Sequence, residues 1–569
     1  MTTKNIICIY LIIIVGFASI LNSGCHKSEN DSDDITTTNV YTTLNRTIVP
    51  ELVTSGQTAK IDDPANFANY GYGKWHYGSG LPFEQRLDLM PSGYVNTSVT
   101  KAANLLRFFT ITDIHITDKE SPAQAIFFRK YLSNNAISVY SPLMLYTPHV
   151  FDATIKTING LNKQNKIDFG LALGDLINNS QYNELRWFID ILDGKMINPD
   201  SGADDDPIKG SNNDYQDPFQ ATGLDRSIPW YAIMGNHDHF WIGSKPMNDR
   251  IRESLVGSNI LQFGNILKDP NWMNQNTFSG GTLDGSTLYG NLIGEGVVAD
   301  MGTIPSVPSD PNRKAISKTD FINELSNTSS LPIGHGFKQS NPQNIFGTCY
   351  SFEPKTDLPI KVIVLDDTQE DTDVSNIYGH GSLKNGRREW LISQLQAGQN
   401  EGKLMIIAAH IPIGVAFGQE VGWYDETYER NLIAELKTYP NLILWVSGHR
   451  HLNTVTAFKS DDLNHPENGF WEVETKSLRE FPQQFRTFDI VRNSDNTISI
   501  FTTNIDPEVI PGSYADISRS YAIASNQIYG LIEPQAGTGP VSYNAELVKQ
   551  LSPEMQLKIK NYGIVNSFQ

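Results

Sequence analysis

The chain is short of positive charge. It has 44 Lys and Arg residues against 63 Asp and Glu residues, which gives a formal net charge of −19 at pH 7. Proteins that bind nucleic acid without sequence preference need a basic surface against the phosphate backbone. The composition therefore argues against a general nucleic-acid binder, and an anionic substrate would need a local source of positive charge, such as bound metal ions.

Cysteine is also scarce, with three residues in a chain of 569. Cys8 lies in an N-terminal apolar run and Cys25 follows that run, so only Cys349 remains in the body of the chain. This count excludes an intrachain disulfide framework and a cysteine metal cluster. The length suits one large domain with insertions or two domains, and 39% hydrophobic residues are ordinary for a globular protein.

The N-terminus has the pattern of an export signal. Lys4 precedes the apolar run IICIYLIIIVGFASIL (6–21), which is followed by NSGC (22–25). A run of this length between a positive start and small residues indicates a signal peptide more often than a membrane span. The Gly24–Cys25 step is similar to the cleavage site of bacterial lipoproteins. We therefore predict an exported, periplasmic or cell-envelope protein with a lipid anchor at Cys25, and plain secretion is the alternative.

Composition divides the rest of the chain. The predicted segments are a signal peptide at 1–25, a polar linker at 26–40, an N-terminal extension at 41–104, a main domain at 105–505 and a peripheral C-terminal extension at 506–569. Inside the main domain, residues 242–345 are rich in Gly, Asn, Ser and Pro. That stretch is too long for a plain loop, so we predict an insertion that walls a site.

Six apolar runs in the main domain each end in polar residues. They are LLRFFTIT (105–112), IDFGLALG (167–174), IPWYAIMG (228–235), LPIKVIVL (358–365), KLMIIAA (403–409) and NLILWVSG (441–448). Continuous apolar runs of this kind predict strands buried on both faces in a layered α/β fold. Helix-like segments lie between them, at 181–194, 386–398 and 429–439. Groups that bind ligands collect at the carboxyl ends of such strands.

The residues at these strand ends have metal-binding chemistry. They are Asp113, His115, Asp175, Asn236, His237, His410, His449 and His451. Imidazole, carboxylate and amide oxygen without thiolate suit Mn, Zn, Fe or Ni. In an extended segment, residues i and i+2 point the same way, so we expect Asp113 with His115, and His449 with His451, to converge.

Five short motifs occur in a fixed order: TDIHITD (112–118), LGDLIN (173–178), GNHD (235–238), AAHIP (408–412) and GHRH (448–451). This pattern resembles the calcineurin-like metallophosphoesterases over about 105–505. The resemblance implies a four-layer α/β/β/α sandwich of two mixed β-sheets, with two metal ions between the strand ends.

The resemblance also implies roles for single residues. One ion would be held by Asp113, His115 and His451, and the other by Asn236, His410 and His449, with Asp175 bridging both. His237 would be the general acid and transition-state stabiliser, oriented by Asp238. The implied reaction is hydrolysis of a phosphomonoester or phosphodiester by a metal-activated hydroxide.

Two other functions stay open at this point. The chain could be a surface binding lipoprotein on a metallophosphoesterase fold that has lost its activity, with the insertion 242–345 contacting a partner. It could also be an enzyme that acts on a nonphosphate ester or on a lipid head group. A complete ligand set argues against the first.

Several polar residues near the motifs have simpler interpretations. Asp366 and Asp367 read as packing features, His239 as a surface loop histidine and Arg450 as half of an ion pair. His335 and His380 read as loop residues that could line a pocket. Arg479 and Arg486 are equally compatible with phosphate contact and with structural pairing.

Overall fold

The computed structural model describes residues 40–565, apart from 131–137, 266–267, 270, 338–347, 374–377, 415–422, 424–425 and 531–543. The predicted signal peptide, the lipidation at Cys25 and nearly all of the predicted linker lie outside the described residues. In the part of the chain that the structure describes, no helix has the length and apolar character needed to cross a membrane.

The strands, in chain order, are β1 Arg46–Pro50, β2 Trp75–Ser79, β3 Glu84–Leu89, β4 Lys101–Ile111, β5 Phe169–Ala172, β6 Met196–Ile197, β7 Phe219–Gln220, β8 Trp230–Ala232, β9 Gln262–Phe263, β10 Phe278–Asp284, β11 Asn291–Val297, β12 Tyr350–Phe352, β13 Ile360–Val364, β14 Leu404–Ala408, β15 Leu442–Ser447, β16 Thr454–Phe458, β17 Phe470–Glu474, β18 Phe485–Asn493, β19 Ile498–Ile505 and β20 Asn544–Lys549. The helices are α1 Thr147–Gln164, α2 Tyr182–Asp193, α3 Asp249–Val256, α4 Val298–Met301, α5 Lys318–Glu324, α6 Arg387–Asn400, α7 Glu426–Leu436, α8 Tyr514–Ile528 and α9 Pro553–Ile559.

Two mixed sheets form the centre of the fold. One has seven strands in the order β3-β20-β19-β18-β4-β5-β8, and the other has six in the order β12-β13-β14-β15-β17-β16. Strands β4, β5 and β8 are parallel, as are β13, β14 and β15, while β18 and β12 run antiparallel to their neighbours. All six predicted strands are present, three in each sheet. The predicted fold class is confirmed.

Apolar side chains on both faces of the strands explain the layers. In the six-stranded sheet, Val362 and Ile406 face the core shared with Phe108 of the other sheet. The alternate residues, such as Ile407, pack in a second cluster with residues of α6 and α7, including Leu391. Helices α1 and α2 pack on the seven-stranded sheet in the same way. Because each sheet is buried on both faces, the four layers hold the strand ends in fixed positions.

The described residues of the predicted insertion are folded. They contribute the three-stranded sheet β11-β10-β9 and an apolar cluster in which Ile251, Phe263 and Trp272 pack with Phe128 and Trp241. These side chains form a small apolar core that supports the described part of the segment.

The two terminal extensions meet at the edge of the seven-stranded sheet. Strand β3 pairs in parallel with β20, and β20 pairs antiparallel with β19. Every residue of β20 is buried, and α8 packs on α1 around Val150 and Ala515. The tail was expected to be peripheral, but it supplies an interior strand of the sheet.

Candidate metal centre

The predicted site residues lie in the loops that follow β4, β5, β8, β14 and β15. The carboxyl ends of these parallel strands meet where the two sheets face each other. Asp113, His115 and His410 are fully buried, and His449 and His451 are half-buried. Separate chain segments therefore deliver these side chains to one place.

The first group contains Asp113, His115 and His451. The Nε2 atom of His451 lies 3.2 Å from Asp113 Oδ1 and 3.2 Å from His115 Nε2. Two ligand atoms that are each about 2.1 Å from one ion are about 3.0–3.4 Å apart at octahedral or tetrahedral angles. The spacing fits three ligands of a single ion.

The second group has the same spacing. His410 Nε2 lies 3.0 Å from Asn236 Oδ1, 3.2 Å from His449 Nδ1 and 3.3 Å from Asp175 Oδ2. The same Asp175 oxygen is 3.9 Å from His115 Nε2, in the first group. One carboxylate therefore lies between the two groups.

The surroundings of Asp113 indicate that a cation fits between these side chains. Its Oδ1 atom is buried and makes no hydrogen bond, although His451 Nε2 is 3.2 Å away. A buried carboxylate oxygen without a hydrogen bond is costly. A cation bound between Asp113 Oδ1 and His451 Nε2 would satisfy both atoms. The seven predicted ligands can thus hold two metal ions.

The backbone at these residues differs from our expectation. Asp113, His115, Asp175, His449 and His451 have positive φ angles of 49°, 47°, 50°, 73° and 56°. The predicted convergence is present, but the extended geometry predicted for it is wrong. Left-handed backbone at a residue other than glycine costs about 1–3 kcal/mol and is concentrated at functional sites. Each chain turns sharply at the strand end, and the turn directs the side chain inward.

Two imidazoles are fixed by hydrogen bonds on their outer nitrogens. His410 Nδ1 lies 2.8 Å from the carbonyl oxygen of Leu173, and His451 Nδ1 lies 3.1 Å from Glu480 Oε1. Such contacts set the tautomer and the orientation of a ligating ring. No apolar run leads to Glu480 in the sequence, so no local pattern marks this residue, and its role depends on its position beside His451.

His237 lies beside the two groups. Its Nδ1 atom is 2.6 Å from the carbonyl oxygen of Asn178, and its backbone N–H donates to Asp175 Oδ1 at 2.8 Å. Its ring packs edge-on against His115 with centroids 4.5 Å apart. The carbonyl oxygen can only accept, so it fixes the proton on Nδ1 and leaves Nε2 for other contacts.

Asp238 does not orient this ring. Its carboxylate accepts hydrogen bonds from the backbone N–H groups of Gly235 at 2.8 Å, Leu176 at 2.9 Å and Ile177 at 3.3 Å. The prediction that Asp238 orients His237 is wrong, because the carbonyl of Asn178 has that position. Asp238 instead fastens the GNHD loop to the LGDLIN loop.

The start of the insertion lies against the site. Gly243, with a φ of +60°, accepts a hydrogen bond from Asn236 Nδ2 at 3.0 Å, which turns Asn236 Oδ1 toward His410. A Cβ atom on Gly243 would lie 2.2 Å from His237 Cδ2. Glycine is therefore required at this position by both its backbone and its neighbours.

The carboxylates and imidazoles in these two groups change one another's pKa values. Burial lowers the pKa of His410, but Asp175 and Asp113 outweigh it and raise that pKa to about 10. The pKa of His451 also rises to about 10, because Glu480 and Asp113 outweigh the effect of burial. Burial lowers the pKa of His449 to about 3, and charged His410 adds to that effect. A metal ion must therefore displace protons from two imidazoles.

Neighbouring polar residues have mostly structural contacts. Arg450 forms the expected ion pair, with Glu474 at 2.6 Å. Asp367 accepts hydrogen bonds from the backbone N–H of His410 at 3.2 Å and of Ile411 at 3.0 Å. The expectation of a surface position for His239 is wrong, because its side chain is buried and lies 3.0 Å from the hydroxyl of Thr368.

The two arginines with open interpretations are also structural. Arg479 Nη1 donates to Thr117 Oγ1 at 2.8 Å and to Asn178 Oδ1 at 2.9 Å, so it braces the loop that positions His237. Arg486 donates to Thr502 inside the seven-stranded sheet. His335 stacks on Trp230 with ring centroids 3.4 Å apart, and its Nδ1 atom lies 3.1 Å from the carbonyl oxygen of Trp230.

A family model described as calcineurin-like phosphoesterase matches residues 106–453. Among solved structures, a dimetal phosphatase from Danio rerio is similar at 11% identity and a TM-score of 0.35, over 71% of this chain and 97% of that one. A protein assigned as a 5'-nucleotidase from Staphylococcus aureus is similar at 12% identity and a TM-score of 0.30, over 73% of this chain and 58% of that one. A search of curated proteins finds no match.

Proposed function

Because this chain belongs to the calcineurin-like phosphoesterase family, we propose that it is a dinuclear metal-dependent hydrolase of phosphomonoesters or phosphodiesters. The proposed ligands are Asp113, His115 and His451 for one ion, Asn236, His410 and His449 for the other, and Asp175 for both. One observation supports this most. A single oxygen of Asp175 lies 3.3 Å from His410 Nε2 and 3.9 Å from His115 Nε2.

Bound metal ions would explain how an acidic protein can bind an anionic substrate. When bound, two cations supply positive charge to the phosphoryl oxygens and lower the pKa of a water molecule. The chain carries a net charge of −19, so this local charge is what would attract an anionic substrate. The ions proposed are two of Mn, Zn, Fe or Ni, which imidazole and carboxylate ligands suit.

His237 is proposed to move the proton. The carbonyl of Asn178 holds its Nδ1 proton, so Nε2 is the atom that exchanges a proton with substrate. Burial lowers the pKa of His237 below its ordinary value. The negative charge of a bound phosphoryl group raises the pKa again, which lets Nε2 hold a proton and give it to the leaving oxygen.

The test is a panel of phosphomonoesters and phosphodiesters with Mn, Zn, Fe and Ni supplied in turn. His237→Ala is expected to lower kcat by about 10²–10⁴-fold, the range for general acid–base catalysis, while both metal ions stay bound. His465→Ala is the matched control, since the side chain of His465 is exposed and lies 3.0 Å from Glu467 Oε1.

The same panel separates the other functions. A binding lipoprotein without activity would hydrolyse nothing with any metal, and His237→Ala would have no turnover to remove. An enzyme for nonphosphate esters would hydrolyse carboxylate or sulfate esters in preference to phosphoesters. Either result would contradict the proposal.

We also propose an exported, membrane-anchored location. The apolar run 6–21 and the Gly24–Cys25 step support it. Cys25→Ser is expected to move the protein from the membrane fraction to the soluble fraction and to abolish incorporation of labelled fatty acid. An unchanged distribution would contradict the anchor.

A further inference from the structure

A second group of possible cation ligands lies apart from the metal centre. One oxygen from each of Glu120, Asp200 and Asp205 lies within 4.8 Å of the others. Two oxygens on opposite sides of one Ca²⁺, each about 2.4 Å from it, are about 4.8 Å apart. Asp200 also belongs to a neighbouring group with Asp204 and Asp206. We name Glu120, Asp200 and Asp205 the acidic cluster.

Gln216 gives an independent indication of a ligand. This side chain is 1% exposed, and its Nε2 atom donates to Asp205 Oδ1 at 2.9 Å and to the carbonyl of Gly285 at 3.2 Å. Its amide group therefore lies against the acidic cluster. Its Oε1 atom is buried and has no hydrogen-bond partner, and the same is true of Asp200 Oδ1. Both atoms are acceptors that a cation would satisfy.

A glycine allows Glu120 and Gln216 to lie close together. A Cβ atom on Gly285 would lie 2.4 Å from Glu120 Oε1 and 2.7 Å from Gln216 Nε2. Only glycine fits between these two groups without displacing one of them. Gly285 directly follows β10, so the insertion itself forms one wall of the acidic cluster.

The charges do not balance within the acidic cluster. One ammonium faces it, since Lys119 Nζ lies 3.1 Å from Glu120 Oε2 and 2.9 Å from the carbonyl of Pro199. When all three carboxyl groups are ionised, they leave two negative charges beside this one ammonium. Burial raises the pKa of Asp200 to about 7 and also raises the pKa values of Glu120 and Asp205, although Lys119 opposes it. A divalent cation would neutralise the remaining charge.

We propose that Glu120, Asp200 and Asp205 bind one calcium ion, with Gln216 Oε1 as a further ligand. The ligands are all oxygens, which separates this site from the histidine-rich metal centre. Irregular loops supply them, which suits Ca²⁺ better than Mg²⁺, because Mg²⁺ demands near-ideal octahedral geometry. The ion would join the loop that follows His115 to the base of the insertion. The proposal does not depend on phosphoesterase activity.

The test measures calcium binding directly on the full chain. We expect Ca²⁺ to raise the thermal unfolding midpoint, and we expect Tb³⁺ to bind and to luminesce on tyrosine excitation. Tyr215 is the expected donor, because Lys119 Nζ lies 5.5 Å from the centre of its ring. Two variants are tested. The first is Asp205→Asn, whose amide oxygen can still accept a hydrogen bond from Gln216, and the second is the double variant Asp200→Asn/Asp205→Asn. Both should weaken Ca²⁺ binding at least tenfold.

Two controls make the result decisive. Asp461→Asn removes a carboxylate that is 80% exposed and should leave calcium binding unchanged. Asp113→Asn disrupts the metal centre and should also keep the calcium response. The proposal is overturned by the absence of any Ca²⁺ response, by an equal response in the double variant, by loss of the response in Asp113→Asn instead, or by a response to Mg²⁺ alone.

Discussion

The metal centre and the acidic cluster differ in the type of their proposed ligand atoms and in the backbone that carries them. The metal centre has imidazoles at the ends of buried parallel strands, on backbone that is left-handed at Asp113 and Asp175. The acidic cluster has only oxygens, and the loop around Asp200 and Asp205 supplies two of them. Strand ends fixed by two packed sheets can maintain strained geometry, whereas loops suit an ion that tolerates irregular coordination. The difference predicts separate metals and separate consequences of mutation.

The largest effect should follow from Asp175→Ala. This change removes the one carboxylate between the two groups of the metal centre, so we expect loss of both ions and a fall in kcat/KM of at least about 10³-fold, in line with the loss of a charge-stabilising group at a catalytic site. Metal analysis together with steady-state kinetics checks it. Asp205→Asn is the matched change in the acidic cluster and should leave both readings near wild type. Retention of two ions by Asp175→Ala would show that the carboxylate is not shared.

A smaller effect should follow from Gly243→Ala. The added Cβ would lie 2.2 Å from His237 Cδ2 and 2.4 Å from Asn236 Nδ2. We expect kcat to fall about 10²-fold, the consequence of roughly 1 Å of misplacement at a catalytic group. Gly302→Ala is the control, because its φ is also positive but nothing lies within 4 Å of the added atom. Equal activities in the two variants would contradict the close approach.

Glu480→Gln tests the contact between a proposed metal ligand, His451, and its hydrogen-bond partner. Glu480 lies 3.1 Å from His451 Nδ1, and loss of such partners costs about 10–100-fold in metal affinity or activity. We expect one ion to bind more weakly while the other is held as before, and metal titration monitored by activity can separate them. An equal loss of both ions would mean that Glu480 acts on the fold rather than on His451.

The last prediction concerns the acid stability of a buried histidine that belongs to neither site and should leave activity at neutral pH unchanged. Burial lowers the pKa of His335 from its ordinary value to about 3, although its contact with the carbonyl of Trp230 opposes this. A lowered pKa contributes stability that is complete above about pH 6.5 and is lost as the pH falls toward 3, with a slope of about 1.4 kcal/mol per pH unit. His335→Asn should remove that part of the acid dependence in denaturant unfolding. An unchanged slope would contradict a neutral, buried His335.

The sequence predicted the central strands of both sheets well. Continuous apolar runs identify β4, β5, β8, β13, β14 and β15 because strands buried on both faces consist mainly of apolar residues. Strand β20 was missed, since NAELVK is short and holds Glu546 and Lys549 in the sheet. Lys549 is stabilised there by the carbonyl of Glu467 at 2.6 Å, a contact that no local pattern reveals.

The ligand set was predicted more fully than its surroundings. Motif order was enough to collect the seven proposed ligands, which the structure brings together. The roles of Asp238, Glu480 and Gly243 depend on which loops touch, and contacts between loops distant in sequence leave no periodic signal. The φ angles of 49° and 47° at Asp113 and His115 are uncommon for residues other than glycine, so no local pattern predicts them.

The central claim is that Asp175 is shared by two cations. The most direct measurement is a crystal structure grown with Mn²⁺ or Zn²⁺, with data collected at the absorption edge of the metal. The account predicts two anomalous peaks about 3.5–4 Å apart, with the carboxylate of Asp175 between them, one peak beside His115 and His451 and the other beside His410 and His449. A single peak, or two peaks that both leave Asp175 uncoordinated, would contradict it.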